Sequence, residues 1–406
     1  MQELPVLIRE PLLDKQENVL GYELLPRRGA GTARPVDSEA MSLLELFAGH
    51  VDAAPAPIDS LLDGQLLFVP AVRSLLKLGA FEGLPVRGTV LAVHAADLQD
   101  AQAVAALKQL REAGCGISLR GGGLEGMDKA TLAFFSHVEL SVDAEDFEFQ
   151  LARFQSLGSS STRLVARGIV DWMHFDACAR LDLAIFPGAL HLQQRPDAKA
   201  EPLNPAQRMI LQLMDMVRKN AEPNKLEAVL KRDAALAFKL LRYINSAGFG
   251  LGCEIQSLRH AVSLLGYASL YRWLSVLLAS AGGKSLSPAV LQTAVIRGRF
   301  VELLGREMLP KSEGENLFVA GMFSLLDRML GVPMATLLQQ IDLAQPIGEA
   351  LLSRTGIYGP FLALAEACEQ DERLARERAD ALCIAPRQIN QAHISALAWA
   401  QSIKFN

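Results

Sequence analysis

The chain changes its hydrophobic pattern near its midpoint. From about residue 4 to residue 195, short apolar runs alternate with segments in which apolar residues recur every three or four positions. The short runs predict β-strands and the periodic segments predict amphipathic helices. The clearest helical period lies at 101–113. Eight strands are predicted, at residues 6–12, 19–25, 65–69, 89–94, 116–119, 138–142, 163–166 and 183–186.

This alternation of strands and helices predicts the fold of the first half. Repeated strand-helix units of about 25 residues favour a parallel sheet with helices outside it, and eight strands favour a closed barrel over an open sheet. In such barrels the binding and catalytic groups lie at the carboxyl ends of the strands. We therefore expect an α/β barrel over residues 1–195, with any site at those strand ends.

The second half carries only the helical pattern. A polar stretch at 193–201, followed by Pro202 and Pro205, separates it from the first half. We therefore expect an all-α domain over residues 196–406, so that the fold class of the whole chain is α/β plus all-α. Helices are predicted at 205–220, 226–231, 234–245, 257–265, 269–281, 288–308, 315–330, 334–340, 347–353, 360–369, 373–382 and 386–403.

Composition narrows the protein class. The 406 residues are 50% hydrophobic, with 45 acidic and 40 basic side chains and a net charge of −5. This balance argues against a surface dedicated to nucleic acid or to anionic membranes. The apolar stretch at 273–283 is shorter than the roughly 20 residues of a spanning helix, so it predicts a core helix. Five cysteines without a C-x-x-C pair indicate a reducing compartment, and no secretory signal opens the chain, so we expect a cytoplasmic protein.

The common catalytic motifs do not occur in the sequence. No two of the seven histidines have the spacing of metal ligands on one helix face, and none directly precedes an aspartate. The glycine run 121–123 matches neither the P-loop nor the dinucleotide-binding spacing, and there is no G-x-S-x-G motif. The motifs therefore predict no catalytic residue, no metal site and no cofactor.

The opening strands nevertheless carry a family signature. The segment REPLLD at 9–14 is followed by VLGYELL at 19–25 and then by Pro26 and Arg27. This resembles the start of the EAL family, barrel phosphodiesterases that hydrolyse the bacterial second messenger cyclic di-GMP. The resemblance continues to about residue 195 as hydrophobic pattern and strand order. It implies a site in which carboxylates and one asparagine hold two divalent cations around a water.

Most positions that the resemblance assigns to this metal site carry residues of another type. Glu23 matches the first metal ligand. The remaining positions fall on or near Pro70, Ala92, 120–123, Glu139, Ser141, 166–170 and 187–188. Their substitutions remove acidic ligands, and Arg120 and Arg167 add positive charge, so hydrolysis is not expected. We interpret Glu23 as a residue kept by strand-end hydrogen bonding, whereas Arg120 and Arg167 are either phosphate contacts or rim charges that face solvent or a partner.

The helical half carries a second and more specific resemblance. The segments KRDAALAFKLLRYINSAGFG at 231–250 and IQSLRHAVSLLG at 255–266 resemble the HDOD domain, a relative of HD phosphohydrolases that lacks their metal ligands. The His-Asp pair of an HD enzyme falls on Ser324 and Leu325, and its earlier histidine falls near Arg297. The motif residues are Asn245, Ser246, Gly248, Phe249 and Gly250. They form either the core of a helix-turn-helix, which is the preferred interpretation, or a direct partner contact.

Together the two resemblances imply an EAL-HDOD signalling protein without catalytic activity. Such a protein acts through contacts with other signalling proteins in cyclic-di-GMP-related regulation of motility and biofilm formation, and a homodimer remains open. We expect no cofactor, no membrane contact, no nucleic-acid partner and no cyclic di-GMP binding. Two alternatives stay open, a weak phosphodiesterase that uses Glu23 and a non-hydrolysing nucleotide receptor that uses Arg120 or Arg167.

Overall fold

The computed structural model describes two compact units. The described residues are 5–25, 41, 44, 64–77, 80–81, 84–158, 161–196, 202–246, 255–281, 287–341 and 343–403. The first unit comprises Met1–Pro196 together with Cys368–Glu377, and the second comprises Asp197–Ala367 together with Arg378–Asn406. The domain bounds 1–195 and 196–406 stay a prediction, because a compact unit is defined by contacts and not by independent folding.

The first unit contains eight described strands and the helices between them. The strands are β1 (Ile8–Leu13), β2 (Val19–Leu25), β3 (Leu66–Pro70), β4 (Thr89–His94), β5 (Gly116–Arg120), β6 (His137–Ser141), β7 (Arg163–Arg167) and β8 (Phe186–Pro187). The helices are α1 (Arg73–Lys77), α2 (Ala101–Ala113), α3 (Lys129–Leu132), α4 (Phe147–Leu157) and α5 (Trp172–Arg180). All eight predicted strands overlap an observed β-segment.

The strands close almost completely into a barrel. Their order is β7-β6-β5-β4-β3-β2-β1-β8, with β2 to β7 parallel and with β1 antiparallel to both β2 and β8. A bridge between Val165 and Ile185 joins β7 to the segment before β8, and the Ala166 amide donates to the Ile185 carbonyl at 2.8 Å. This arrangement confirms the predicted α/β barrel, and it places the carboxyl ends of β2 to β7 at one mouth.

Close strand pairing and an apolar interior hold the barrel together. At Gly21 of β2, a Cβ atom would lie 1.9 Å from the carbonyl oxygen of Leu66, so only glycine permits this approach of β2 to β3. Phe68, Val90 and Val165, on three different strands, are buried in one apolar cluster. Apolar packing thus fills the barrel, and the charged side chains described below lie at its mouth.

In the described residues of the second unit, every regular element is a helix, as predicted. Its helices are α6 (Pro205–Arg218), α7 (Pro223–Leu230), α8 (Ala234–Ser246), α9 (Leu258–Ser280), α10 (Pro288–Gly305), α11 (Gly314–Phe323), α12 (Leu326–Leu330), α13 (Met334–Gln340), α14 (Gln345–Ser353), α15 (Gly359–Ala367) and α17 (Pro386–Gln401). Helix α16 (Glu372–Ala381) contributes residues to both compact units.

Helix α9 explains the most apolar stretch of the sequence. Two helices were predicted here, and Gly266, with φ 80° and ψ 173°, interrupts the helical conformation between them. Among the described residues, α9 has the length and mean hydropathy of a membrane span, yet half of its most apolar window is buried inside the unit. Trp273, Leu274 and the run 276–279 are buried, which agrees with the predicted core helix.

Candidate functional site

Charged side chains converge at the carboxyl ends of the parallel strands. Glu23 lies near the end of β2, Glu139 lies within β6, and Arg120 and Arg167 are the last residues of β5 and β7. Glu23 and Glu139 are 0% and 1% exposed, and the side chains of Arg120 and Arg167 are 13% and 12% exposed. The structure therefore brings together the three sequence-predicted residues of the barrel, and adds Glu139.

The four side chains form a network of short ion pairs. Arg120 contacts Glu23 through Nη2 at 2.5 Å and Glu139 through Nε at 2.8 Å. Arg167 contacts the other Glu23 oxygen through Nη2 at 2.5 Å and Glu139 through Nε at 2.7 Å. Its Nη1 lies 3.9 Å from Glu10 Oε2, on the strand paired with β2. Each guanidinium group thus joins at least three strands, counting its own.

Electrostatics favour the charged forms of Glu139 and Arg120. Burial alone raises the pKa of Glu139, but the adjacent charges of Arg120 and Arg167 outweigh it and lower the pKa from 4.5 to about 2. The Ser118 hydroxyl also donates to Glu139 Oε1 at 2.7 Å. Burial lowers the pKa of Arg120, and the charges of Glu139 and Glu23 raise it above its ordinary value. The mouth is therefore a network of charges that compensate one another.

This network does not fit the pair of divalent cations that an EAL-type site holds. Both oxygens of Glu23 face guanidinium groups, so its ligand atoms are already engaged by cations. Pro70, Ala92 and Ser118 lie in register on β3, β4 and β5, and the first two offer no side-chain ligand. Among the described residues, no three His, Cys, Asp or Glu side chains are grouped so as to hold a metal ion.

One cavity beside the described strand ends is small. A cavity of about 100 Å³ lies next to the network, with Gly121, Gly122, Ser141, Asp146 and Gln150 in its lining. Gln150 donates to Asp146 at 2.9 Å, so even this lining is partly satisfied internally. The volume suits a few waters and is well below the several hundred Å³ typical of ligand pockets.

A larger groove lies on the helical layer, away from the strand ends. It has a volume of about 590 Å³ between α1 and α2, and its lining includes Leu76, Ala105, Gln109 and Cys115. Lys77 of this lining forms an ion pair with Asp100, and the described lining residues include no Asp, Glu or His beside the Cys115 thiol. The groove thus has no counterpart among the sequence-predicted site residues.

In the helical unit, the HDOD motif is described only in part. Asn245 Nδ2 donates to the Ile255 carbonyl at 2.9 Å, and the Ile255 amide donates to Asn245 Oδ1 at 2.8 Å. Through these two hydrogen bonds, Asn245 near the end of α8 holds Ile255, which lies three residues before α9. Ser246 is the last residue of α8. Gly248, Phe249 and Gly250 lie outside the described residues.

The position of the lost HD pair is occupied by a second arginine network. Ser324 and Leu325 separate α11 from α12, where one helix had been predicted over 315–330. Buried Arg297 of α10 donates through Nη1 to Ser324 Oγ at 2.7 Å and lies 3.3 Å from Glu366 Oε1. Arg354 binds both oxygens of Glu366, each at 2.8 Å. Two of the three HD-related positions, Arg297 and Ser324, are therefore in direct contact.

Sequence reasoning missed several members of the two networks. Glu10 and Glu139 each lie inside a mostly apolar predicted strand, and a carboxylate at such a position is a detectable signal of a buried pair. The resemblance marked Glu139 only as an aligned position and not as a member of a network. Glu366 gives a similar signal, because it lies in the apolar run at 359–367, whereas Arg354 follows the end of a helix, where charged residues are common. Their pairing follows only from the tertiary packing of the helices.

Comparison with known proteins gives one family match and several relatives. Residues 203–339 match the HDOD domain model, which confirms the HDOD prediction. The cyclic di-GMP phosphodiesterase CdgJ of Vibrio cholerae is 23% identical over 402 residues, covering 97% of this chain and 92% of CdgJ. YuxH of Bacillus subtilis, an uncharacterized protein, is 23% identical over 377 residues, covering 89% of this chain and 90% of YuxH. The EAL domain of Mycobacterium smegmatis DcpA is 17% identical and covers 45% of this chain and 89% of that chain, with a TM-score of 0.35.

Proposed function

We propose that this chain, which carries an HDOD domain, is a non-catalytic signalling protein in cyclic-di-GMP-related regulation and acts through protein-protein contacts. The observation that carries this proposal is the environment of Glu23. The one residue that matches an EAL metal ligand has each of its oxygens 2.5 Å from a largely buried guanidinium group. A catalytic cation must displace both arginines before it reaches this carboxylate.

The helical unit supports the same conclusion. Ser324 and Leu325 stand where an HD enzyme has its His-Asp pair, and Arg297 lies near the position of its earlier histidine. None of these three side chains is a metal ligand of that kind. The link to cyclic di-GMP comes from the name of CdgJ, which aligns with nearly the whole chain. We place the protein in the cytoplasm and its output in motility or biofilm regulation, as the EAL-HDOD resemblance implies.

A hydrolysis assay tests the absence of catalysis. The purified chain is incubated with cyclic di-GMP and MgCl₂ or MnCl₂, and linear dinucleotide is measured by chromatography. We expect no product above the level of a protein-free control. Turnover that disappears in the Glu23→Gln variant refutes the proposal.

Turnover that is lost in Glu23→Gln supports the second candidate function, a phosphodiesterase, which the name of CdgJ favours. Calorimetric titration of the metal-free chain with cyclic di-GMP tests the third candidate, a non-hydrolysing receptor. Binding that is lost in Arg120→Met and retained in Lys15→Met supports that receptor, because Lys15 forms an ion pair with Asp182 on the barrel surface.

An exposed aromatic side chain gives the protein-protein part of the proposal a test. Phe238 of α8 is 68% exposed and belongs to the helical unit, and Phe149 of α4 is 54% exposed and belongs to the barrel. Large exposed apolar side chains are common centres of protein interfaces. We use the wild-type chain to capture a partner protein from native cells. The Phe149→Glu variant should capture the same protein, and the Phe238→Glu variant should not. The captured protein should then bind the purified wild-type chain directly, and equal binding by both variants contradicts a partner surface on α8.

A further inference from the structure

The buried arginines of the barrel stand among carboxylates at the place where an EAL-type site holds metal ions. We propose that Arg120 and Arg167 take the place of those divalent cations, so that the chain neutralises the strand-end carboxylates with its own side chains. This inference deepens the proposed function, on which it rests only for the EAL assignment of the barrel. If the arginines neutralise these carboxylates, the stability of the barrel mouth does not depend on Mg²⁺, Mn²⁺ or Ca²⁺.

The connectivity of the two side chains supports this replacement. A divalent cation held by carboxylates from several strands ties their ends together. Arg120 does the same from β5, with Glu23 on β2 and Glu139 on β6 as its partners. Arg167 does so from β7, with Glu23, Glu139 and Glu10 as its partners. The guanidinium groups thus bridge strands that are not adjacent in the sheet.

Arginine is chemically suited to this exchange. Its guanidinium group stays charged at any pH at which proteins are folded, and its planar fork offers five donors to carboxylate oxygens. A buried carboxylate without a compensating positive charge is strongly destabilising, which is why Glu23 and Glu139 require a cation of some kind. Arg120 and Arg167 are the cations that the described residues provide at this mouth.

The helical unit provides an independent case of the same exchange. There the HD-related positions hold Arg297 and Ser324, and the Arg297 guanidinium group lies 3.3 Å from the Glu366 carboxylate. Arg297 is thus a positively charged side chain near a position where the resemblance implies a metal ligand. In both units of the chain, an arginine therefore pairs with a carboxylate at or near a position where the resemblance implies a metal site.

Chemical rescue tests the proposal. Arg167→Ala removes a guanidinium group and leaves a space of the same shape beside Glu23 and Glu139. We measure the midpoint of thermal unfolding of the full chain, first in EDTA and then, without EDTA, in millimolar guanidinium chloride or MnCl₂. A sample in KCl at equal ionic strength is the reference. We expect either cation to raise the midpoint of the variant by at least about 2 °C, because a ligand that binds only the folded state stabilises it. The wild type should change by less than half of that amount.

A second arginine supplies the matched control. Arg195 pairs with Glu17 at 3.0 Å and with Asp176 at 3.3 Å on the barrel surface, and its side chain is partly exposed. Arg195→Ala should show no rescue beyond KCl. Equal rescue of Arg195→Ala, or no rescue of Arg167→Ala by either cation, overturns the proposal.

Two further measurements cover a variant that fails to fold. Arg120→Ala serves in place of Arg167→Ala, because Arg167 then still contacts both Glu23 and Glu139. In the wild type, a midpoint raised by MnCl₂ and no longer raised in Glu23→Gln also overturns the proposal, since it reveals a metal site beside the arginines. None of these readouts depends on cyclic di-GMP hydrolysis, so the proposed function and this inference fail separately.

Discussion

The sharpest stability prediction concerns Arg167→Met. Methionine keeps much of the apolar stem volume of arginine and removes the charge. The change leaves Glu23 and Glu139 buried, with Arg120 as the remaining guanidinium partner at the mouth, and it removes the contact to Glu10. We expect a large loss in the free energy of unfolding of the barrel, because Glu23 and Glu139 each lose one of their two guanidinium partners.

The magnitude follows from the geometry. Arg167 makes two close contacts, at 2.5 Å and 2.7 Å between nitrogen and oxygen atoms. Charge centres about 4 Å apart at an effective dielectric constant near 20 attract by about 4 kcal/mol per pair. The desolvation that Arg167 no longer requires offsets several kcal/mol of this sum. The net loss should be about 4 kcal/mol, within the range measured when one partner of a buried pair is removed.

Hydrogen exchange followed by mass spectrometry resolves the effect by unit. Amide protection in peptides that span β5 and β7 reports the free energy of barrel opening, and peptides from α10 report the helical unit. A loss of about 4 kcal/mol corresponds to a fall in barrel protection of nearly three decades. Protection in α10 should stay the same.

The control is a surface pair in the same unit. Lys15 pairs with Asp182 at 2.7 Å, and both side chains are substantially exposed. Lys15→Met should therefore cost less than about 1 kcal/mol. If Arg167→Met costs no more than Lys15→Met, the described ion pairs do not stabilise the barrel and the reasoning fails.

Two further predictions address a titrating group and the helical network. Burial lowers the pKa of His137 from 6.5 to about 4, and Arg163 adds to the effect. The unfolded chain therefore binds a proton between these pH values that the folded chain does not bind, so the free energy of unfolding should fall by up to about 3 kcal/mol as pH drops from 6.5 to 4. It should be flat just above that window, and urea unfolding of His137→Phe should lack this part of the pH dependence. Arg297→Met should cost about 2 kcal/mol, less than Arg167→Met, because Arg354 still binds both oxygens of Glu366. Exchange protection in α10 and α11 measures this loss, and a cost equal to that of Arg167→Met contradicts it.

The fold was predictable because periodicity reports which face of an element is buried. The eight strands and the change to pure helix at about residue 200 both follow from that pattern. Boundaries inside the helical half were less predictable. The apolar run over 315–330 continues through Ser324 and Leu325, so periodicity alone predicts one helix, and the break there follows from tertiary packing.

The site was predictable only as a set of positions. Sequence resemblance marked Glu23, Arg120 and Arg167 separately and left both arginines open as phosphate contacts or rim charges. Their mutual distances depend on strand register, which places β5 and β7 on either side of β6. Pairing across the barrel from β2 to β5 and β7 has no local sequence signal, so the ion pairs emerge only once the sheet closes.

The retained glutamate illustrates how the partner decides the role of a motif residue. In an EAL-type metal site, the charge of Glu23 stabilises a cation. In this chain the same carboxylate compensates Arg120 and Arg167, which are themselves nearly buried. Replacing Glu23 by Gln would leave these two positive charges facing Glu139 and Glu10, so the substitution should destabilise the barrel through the lost ion pairs. The ion pairs with Arg120 and Arg167 are therefore a structural reason for a glutamate at this position, independent of any reaction.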